Sequence, residues 1–298
     1  MKIYNISFEN NGEESILSAN VHISRLKSKK LFFSVPSKYK EFVFKDASSF
    51  LAGALMRCVK VGENMEVNGS ISKKLYENIP TIINKMDELD IVKKKRKISV
   101  SANKNISDER IDTERNIGCF FSGGVDSFYT LLKNLAENKE KITHLIFVHG
   151  FDIPLWNTLL FDSVYSRMKK VAEHLGVELI PVKTNIREIN DPYVEWIMGH
   201  GGAVASVALF LRQGFKKIYI ASSASWKQLI PNGTHPYLDY LWGTEIFELI
   251  NDGNEANRTE KVKKYIAISD IALQNIRVCY HNYGNVYNCE NVRNVCVP

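Results

Sequence analysis

Apolar and polar positions divide this chain into two stretches of different rhythm. Up to about residue 90, short runs in which apolar residues alternate with polar ones predict half-buried strands at 3–8, 16–23 and 31–35, the last stopped by Pro36. In the same stretch, 50–56 reads as a buried helix and 75–89 as an amphipathic helix that tolerates Pro80. A further strand is predicted at 98–100, and the polar stretch 101–116 reads as a linker. From residue 117 onward, apolar strands at 117–121, 144–148, 178–182 and 217–221 alternate with helical patterns that begin near Ser127, cover 164–175 up to Gly176, and cover 200–211 up to Gly214. This β–α–β–α order predicts an α/β fold, a parallel sheet with helices on both faces. The expected organisation is therefore a smaller N-terminal α+β domain over 1–100, a linker over 101–116 and an α/β domain over 117–298.

Composition narrows the setting. The chain has 298 residues, 45% hydrophobic and 24% charged, enough for one large domain or two smaller ones. No apolar run approaches the roughly 18–20 residues of a membrane span, and the first residues lack the apolar core of a signal peptide. Five cysteines do not suggest a disulfide framework, so the expectation is a cytoplasmic protein without a membrane partner. The formal charge of +6 suits phosphate-bearing ligands and does not call for nucleic acid. The basic run at 93–97 can be read as an RNA contact, but a solvated turn or strand edge is the better reading of one short run.

Ligands of such sheets bind beyond the carboxyl ends of the strands, which singles out four segments. After the first strand comes Ser122-Gly123-Gly124-Val125-Asp126-Ser127, opening a helix. Glycines let backbone approach an anion, the unpaired N–H groups of a helix start point at it, and Ser122 and Ser127 add hydroxyls. Asp126 fits such a cradle only beside a divalent cation or a ligand hydroxyl. This is neither a Walker A loop, because no Gly-Lys-Ser/Thr follows, nor a dinucleotide fingerprint, because the third glycine is missing. Five fixed residues of this kind arise by chance in about one chain of this length in a few thousand.

The other three segments are His149-Gly150-Phe151-Asp152, then 183–187 with Arg187, then 222–225. Arg187 carries a fixed fork suited to phosphate, and reads equally well as a surface arginine. Gly201 and Gly202 at a helix start serve either close packing or ligand access. The stretch 232–245 combines aromatic residues, which stack on planar rings, with His235 and Asp239 as candidate acid or base; a packed surface loop is the plainer alternative. Arg258 and Lys261, at i and i+3, either reach phosphates or line a solvated helix face. Cys119 inside the first strand reads first as an inert core thiol and second as a sulfur acceptor near the loop.

S-G-G-V-D-S behind an apolar strand resembles the PP-loop of the ATP pyrophosphatase, or adenine nucleotide alpha hydrolase, superfamily of the HUP-like fold. The resemblance covers about three fifths of the chain, from 117 to its end. It implies that ATP is split between its α and β phosphates, that AMP is placed on a carbonyl oxygen of a second substrate, and that nitrogen or sulfur displaces it. It implies that Ser122, Gly123, Gly124, Val125, Asp126 and Ser127 hold the phosphates with Mg²⁺, and that His149 and Gly150 border the adenosine. Cys279, Cys289 and Cys296 resemble the C-terminal zinc cluster of relatives of 7-cyano-7-deazaguanine synthase, with His281 as a fourth ligand. The match departs from that pattern where Val292 and Val295 replace cysteines, which puts Zn²⁺ in question. Within the superfamily the thioamide-forming synthetases that make 6-thioguanine are the nearest analogy in size. The implied activity is an AMP-forming ligase or sulfurtransferase acting on a small, planar, purine-like substrate. Its expected partners are that small molecule, a sulfur-donor protein and a second copy of the chain. A tRNA thiolase and a nucleotide sensor without catalysis are the alternatives.

Overall fold

The computed structural model describes residues 1–23, 28–92, 97–102, 106–107, 115–278, 282 and 286–288. The chain is α/β, with mixed, mostly parallel sheet structure flanked by helices. Its elements run β1 (Lys2–Asn10), β2 (Glu14–His22), β3 (Lys29–Pro36), α1 (Ser48–Val61), β4 (Met65–Val67), β5 (Ile71–Ser72), α2 (Lys73–Glu88), β6 (Val100–Ala102) and β7 (Ile106–Ser107). There follow β8 (Asn116–Phe120), α3 (Val125–Glu137), β9 (His144–His149), α4 (Thr158–His174), β10 (Glu178–Thr184), α5 (Ile186–Asn190), α6 (Trp196–Leu211), β11 (Phe215–Ala221), β12 (Glu248–Asp252), α7 (Arg258–Lys261) and α8 (Asp270–Asn275). Two compact units form, and neither is a continuous segment: Met1–Arg115 with Lys183–Ile218 and Ile230–Asn251, and Asn116–Val182 with Tyr219–Leu229 and Asp252–Pro298.

In the first unit β1, β2 and β3 form an antiparallel meander whose alternate residues, among them Ile3, Leu17, Val21 and Phe33, are buried. The last residues of β10, Lys183 and Thr184, pair antiparallel with Ser34 and Phe33 of β3. The sheet structure is therefore mixed rather than wholly parallel. Both α1 and α6 are buried almost all round, which forces close helix packing. A Cβ on Gly202 would stand 2.8 Å from the Ala52 carbonyl oxygen, and one on Gly201 would stand 1.7 Å from that of Gly233. These glycines answer to backbone packing within the unit, not to ligand access. The same packing explains why 183–218 belongs with the N-terminal strands. The run 93–96 and most of the expected linker lie outside the described residues.

Asp46 and Arg212 make a buried fork in this unit, at 2.6 Å (Oδ2 to Nη2) and 3.1 Å (Oδ1 to Nη1), with Ser48 donating to both carboxylate oxygens. Arg212 is wholly buried and Asp46 nearly so.

In the second unit the strand order is β11–β8–β9–β10, with β8 and β9 parallel through Cys119↔Leu145. Phe121, Phe128, Leu131, Val164 and Met168 close its core. Chain order runs β8, β9, β10 to one side, and β11 lies on the other flank of β8. The direction of winding thus reverses at β8, and in open α/β sheets such a reversal is where ligands bind as a rule.

Asp46→Ala strands a buried guanidinium and should lower unfolding free energy by about 3–5 kcal/mol. Glu14→Ala, which breaks the exposed Lys183–Glu14 pair, should cost under about 1 kcal/mol. Urea denaturation of the two variants checks this; equal midpoints would contradict it.

Candidate functional site

The turn after β8 is shaped by its glycines. Gly123 has φ +77°, and a Cβ there would lie 2.7 Å from Met168 Sδ. Only glycine meets both conditions without strain. Gly124 takes the extended N-cap conformation of α3, and its carbonyl accepts from Phe128 N at 3.0 Å and from the Ser127 hydroxyl at 3.0 Å. Ser122 Oγ accepts from Gly124 N at 3.3 Å. The two serines therefore brace the turn. Among the described residues no acceptor meets the N–H groups of Val125, Asp126 or Ser127, which open the 13-residue helix α3.

Asp126 stands in that first helical turn, and both its oxygens are taken. Oδ1 lies 3.0 Å from Lys261 Nζ and Oδ2 lies 3.0 Å from Arg258 Nη2. Lys261 is wholly buried, while the Arg258 side chain is about half exposed. The Lys261 ammonium also donates to the Ser222 carbonyl, at the end of β11, and lies 5.5 Å from the centre of the Tyr129 ring. A reciprocal capping box between Asn257 and Glu260 fixes the start of α7 and so the position of both cations. Two cations therefore face the one carboxylate that stands at this helix N-terminus.

A second layer steadies this arrangement. Thr130 donates to Asp252 at 2.9 Å, and Lys133 reaches Asp252 at 2.8 Å and Glu255 at 2.6 Å. Burial works against ionised Glu255, yet hydrogen bonds from Lys133 and Tyr129 outweigh it and hold the carboxyl at about 2. Asn254 donates to Ser222 Oγ and the Ala224 carbonyl, tying the 222–225 turn to the 252–261 segment.

The remaining sequence-predicted residues divide. His149 is buried, its ring stacked 4.1 Å from that of Phe161, with Nε2 donating to the Pro154 carbonyl at 3.0 Å. Gly150, at φ +108°, makes the turn that follows. Cys119 is wholly buried; burial, then the Asp252 charge, pushes its thiol well up. Sulfur transfer needs an exposed, activated thiolate, and this thiol is packed inside the strand core instead. Arg187 belongs to the first unit, where it donates to Asp191 at 2.7 Å and lies over the Trp196 ring. His235 and Asp239 also belong to the first unit. Asp239 accepts from His235 N at 3.1 Å and Asn251 Nδ2 at 2.7 Å, stapling the 235–251 stretch. Burial lowers the His235 ring from its ordinary value. Asp239 is 1% exposed, and burial lifts its carboxyl to about 7 against the pull of those two donors. Cys279, Cys289 and Cys296, with His281, lie outside the described residues. Among the described residues no group of three or more His, Cys, Asp or Glu is placed to hold a metal ion. Among them, too, no helix is long and apolar enough to cross a membrane.

The residues that sequence reasoning missed are those that complete the turn. Lys261 is read there as a phosphate or solvent contact, and the structure buries it against Asp126. Asp252, Glu255 and Lys133 carry no motif at all. The Asn257-x-x-Glu260 pattern is the one local signal that could fix where the cations stand.

Compared with protein-family models, curated proteins and solved structures, the chain matches none.

Asp239 has a consequence for pH. Its folded value, about 7, exceeds the ordinary 3.8, so the native state binds the extra proton between these values. Stability is fully present below the ordinary value and falls as pH rises through about 7, by a few kcal/mol in order of magnitude. Asp239→Asn should remove that slope, because the Asn251 amide can rotate to present its unpartnered Oδ1. Urea midpoints from pH 5 to 8 test it; parallel profiles for the two proteins would refute it.

Proposed function

We propose that this chain is an ATP-dependent synthetase that adenylates a carbonyl oxygen of a small planar substrate and exchanges that oxygen for sulfur or nitrogen. The carrying observation is the 122–127 turn: a glycine-shaped helix start beside the reversal point of the sheet, with unsatisfied amides and two cations held at its first helical turn. The resemblance of S-G-G-V-D-S to the PP-loop supports the same reading.

In this reading the amide N–H groups of Val125, Asp126 and Ser127 donate to phosphate oxygens, and Lys261 and Arg258 share part of their charge between Asp126 and the phosphates. The substrate carbonyl oxygen attacks the α-phosphorus, and pyrophosphate leaves with the electron pair of the broken P–O bond. Sulfide or ammonia then adds to the activated carbon and loses a proton, and AMP departs with the C–O pair. Holding both reactants in one crevice makes each displacement effectively unimolecular. The hydroxyls of Ser122 and Ser127 are hard oxygen donors, while both Asp126 oxygens are held by Lys261 and Arg258, so Mg²⁺ would be carried in mainly by phosphate oxygens. When bound, Mg²⁺ neutralises charge on the leaving pyrophosphate. Because Cys119 is inert, sulfur would come from free sulfide or a donor protein.

Incubation with ATP, Mg²⁺, a purine panel and sulfide, followed by mass spectrometry, should reveal AMP, pyrophosphate and an oxygen-to-sulfur mass change. Asp126→Ala and Lys261→Met should each reduce pyrophosphate release by about 100-fold or more. ATP bound but intact under every condition would replace this reading with a nucleotide sensor. ATP neither bound nor cleaved would overturn both.

A further inference from the structure

Arg277 occupies an unusual position beside the 122–127 turn. Its backbone N–H donates to the Gly123 carbonyl at 2.7 Å, and its own carbonyl lies 3.7 Å from where a Gly124 Cβ would stand. The segment around residue 277 therefore runs against the two glycines. It is anchored there by Asn288, which donates to the Ile276 carbonyl at 2.9 Å and accepts from Val278 N at 2.9 Å. The Tyr287 hydroxyl donates to the Asn275 carbonyl.

The side chain is only 4% exposed, yet its charge is poorly matched. Nη2 donates to Asn282 Oδ1. Nη1 stands 3.9 Å from Asp152 Oδ2, beyond hydrogen-bond reach. Nε has no acceptor among the described residues. A buried guanidinium ordinarily has its donors satisfied, because an unpaired buried cation is costly. Asp152 belongs to the turn after β9, and Asn282 donates to the Asp152 carbonyl at 2.7 Å. The guanidinium is thus set between the turns that follow β8 and β9, at the carboxyl edge of two neighbouring parallel strands.

We propose that Arg277 is an anion-binding residue of the nucleotide site, whose free donors take a phosphate oxygen and for which the Asp152 carboxylate stands in when no anion is bound. This rests on the nucleotide reading and adds to it a residue outside the glycine motif. Arg277 approaches the turn from the side of β9, whereas Lys261 and Arg258 approach from α7 and the end of β11. An anion held by the α3 amides would then be gripped from both flanks. The fixed fork suits a phosphate better than a lysine would.

Calorimetric titration with inorganic pyrophosphate and with Mg-ATP tests this on the full chain. Arg277→Gln keeps a donor for Asn282 and leaves the backbone bond to Gly123 untouched. It should weaken pyrophosphate binding by about 10–100-fold, the range for a lost charged hydrogen bond. Arg277→Lys should fall between that and the unsubstituted protein. Asp152→Asn removes the competing carboxylate from a one-third-exposed position and should tighten binding about 3-fold or more. Thermal melts confirm that each variant is folded. Unchanged affinity in Arg277→Gln, with Mg-ATP still bound by the unsubstituted protein, overturns the inference and leaves the nucleotide reading standing. Should Arg277→Gln fail to fold, unchanged or weaker binding in Asp152→Asn overturns it instead. No binding of either probe by the unsubstituted protein removes both.

Discussion

A lysine ammonium wholly withdrawn from water needs partners on every side, and in this fold Lys261 finds three. The Asp126 carboxylate, the Ser222 carbonyl and the face of Tyr129 surround it. Two come from the first turns of α3 and one from the end of β11. One charge thereby pins the helix start against the strand end across the point where the sheet reverses direction. Loss of Asp126 would leave a buried charge uncompensated, a far larger penalty than loss of a surface pair. The same contact keeps Asp126 from repelling an incoming anion, since its charge is already matched and exceeded by Lys261 and Arg258.

The remaining structure of the second unit serves that contact. The apolar face of β8 fixes where the chain must leave the sheet, and Gly123 turns it at an angle that other residues resist, over the Met168 sulfur. Thr130 and Lys133, one and nearly two helical turns beyond Asp126, bind Asp252 and so lock the register of α3 against the segment that carries Lys261. Asn254 does the same for the 222–225 turn. Charge, not apolar surface, specifies this corner of the molecule, and the partners lie more than a hundred residues apart in sequence.

That separation explains what the sequence discloses and what it hides. The turn at 122–127 is legible because its strand, glycines and helix are contiguous, and each obeys a local rule. The helix at 75–89 is legible from its periodicity and the one at 200–211 from its run of small and apolar residues; their bounds in the structure, Lys73–Glu88 and Trp196–Leu211, differ by a few residues. The start of α4 at Thr158 lies six residues before the sequence reading, although Asn157 supplies an ordinary N-cap, accepting from Leu160 N. What α6 packs against is not legible: a uniformly apolar helix announces burial but not its neighbour. Hence the interleaving of 183–218 with the N-terminal strands escapes a reading in consecutive domains. His149 shows a packing partner the sequence does not disclose: β9 is covered on both faces and the imidazole stacks on Phe161. Lys261, read equally as a phosphate contact and as part of a solvated face, becomes a buried charge once tertiary packing covers it.

The central claim is that the free amides opening α3 receive the charged end of a nucleotide. Backbone amide spectra of ¹⁵N-labelled protein titrated with Mg-ATP test it most directly. The account predicts saturable shifts that are largest at Gly123, Gly124, Val125, Asp126 and Ser127. Saturable shifts confined to other parts of the chain, or none at all, would contradict it.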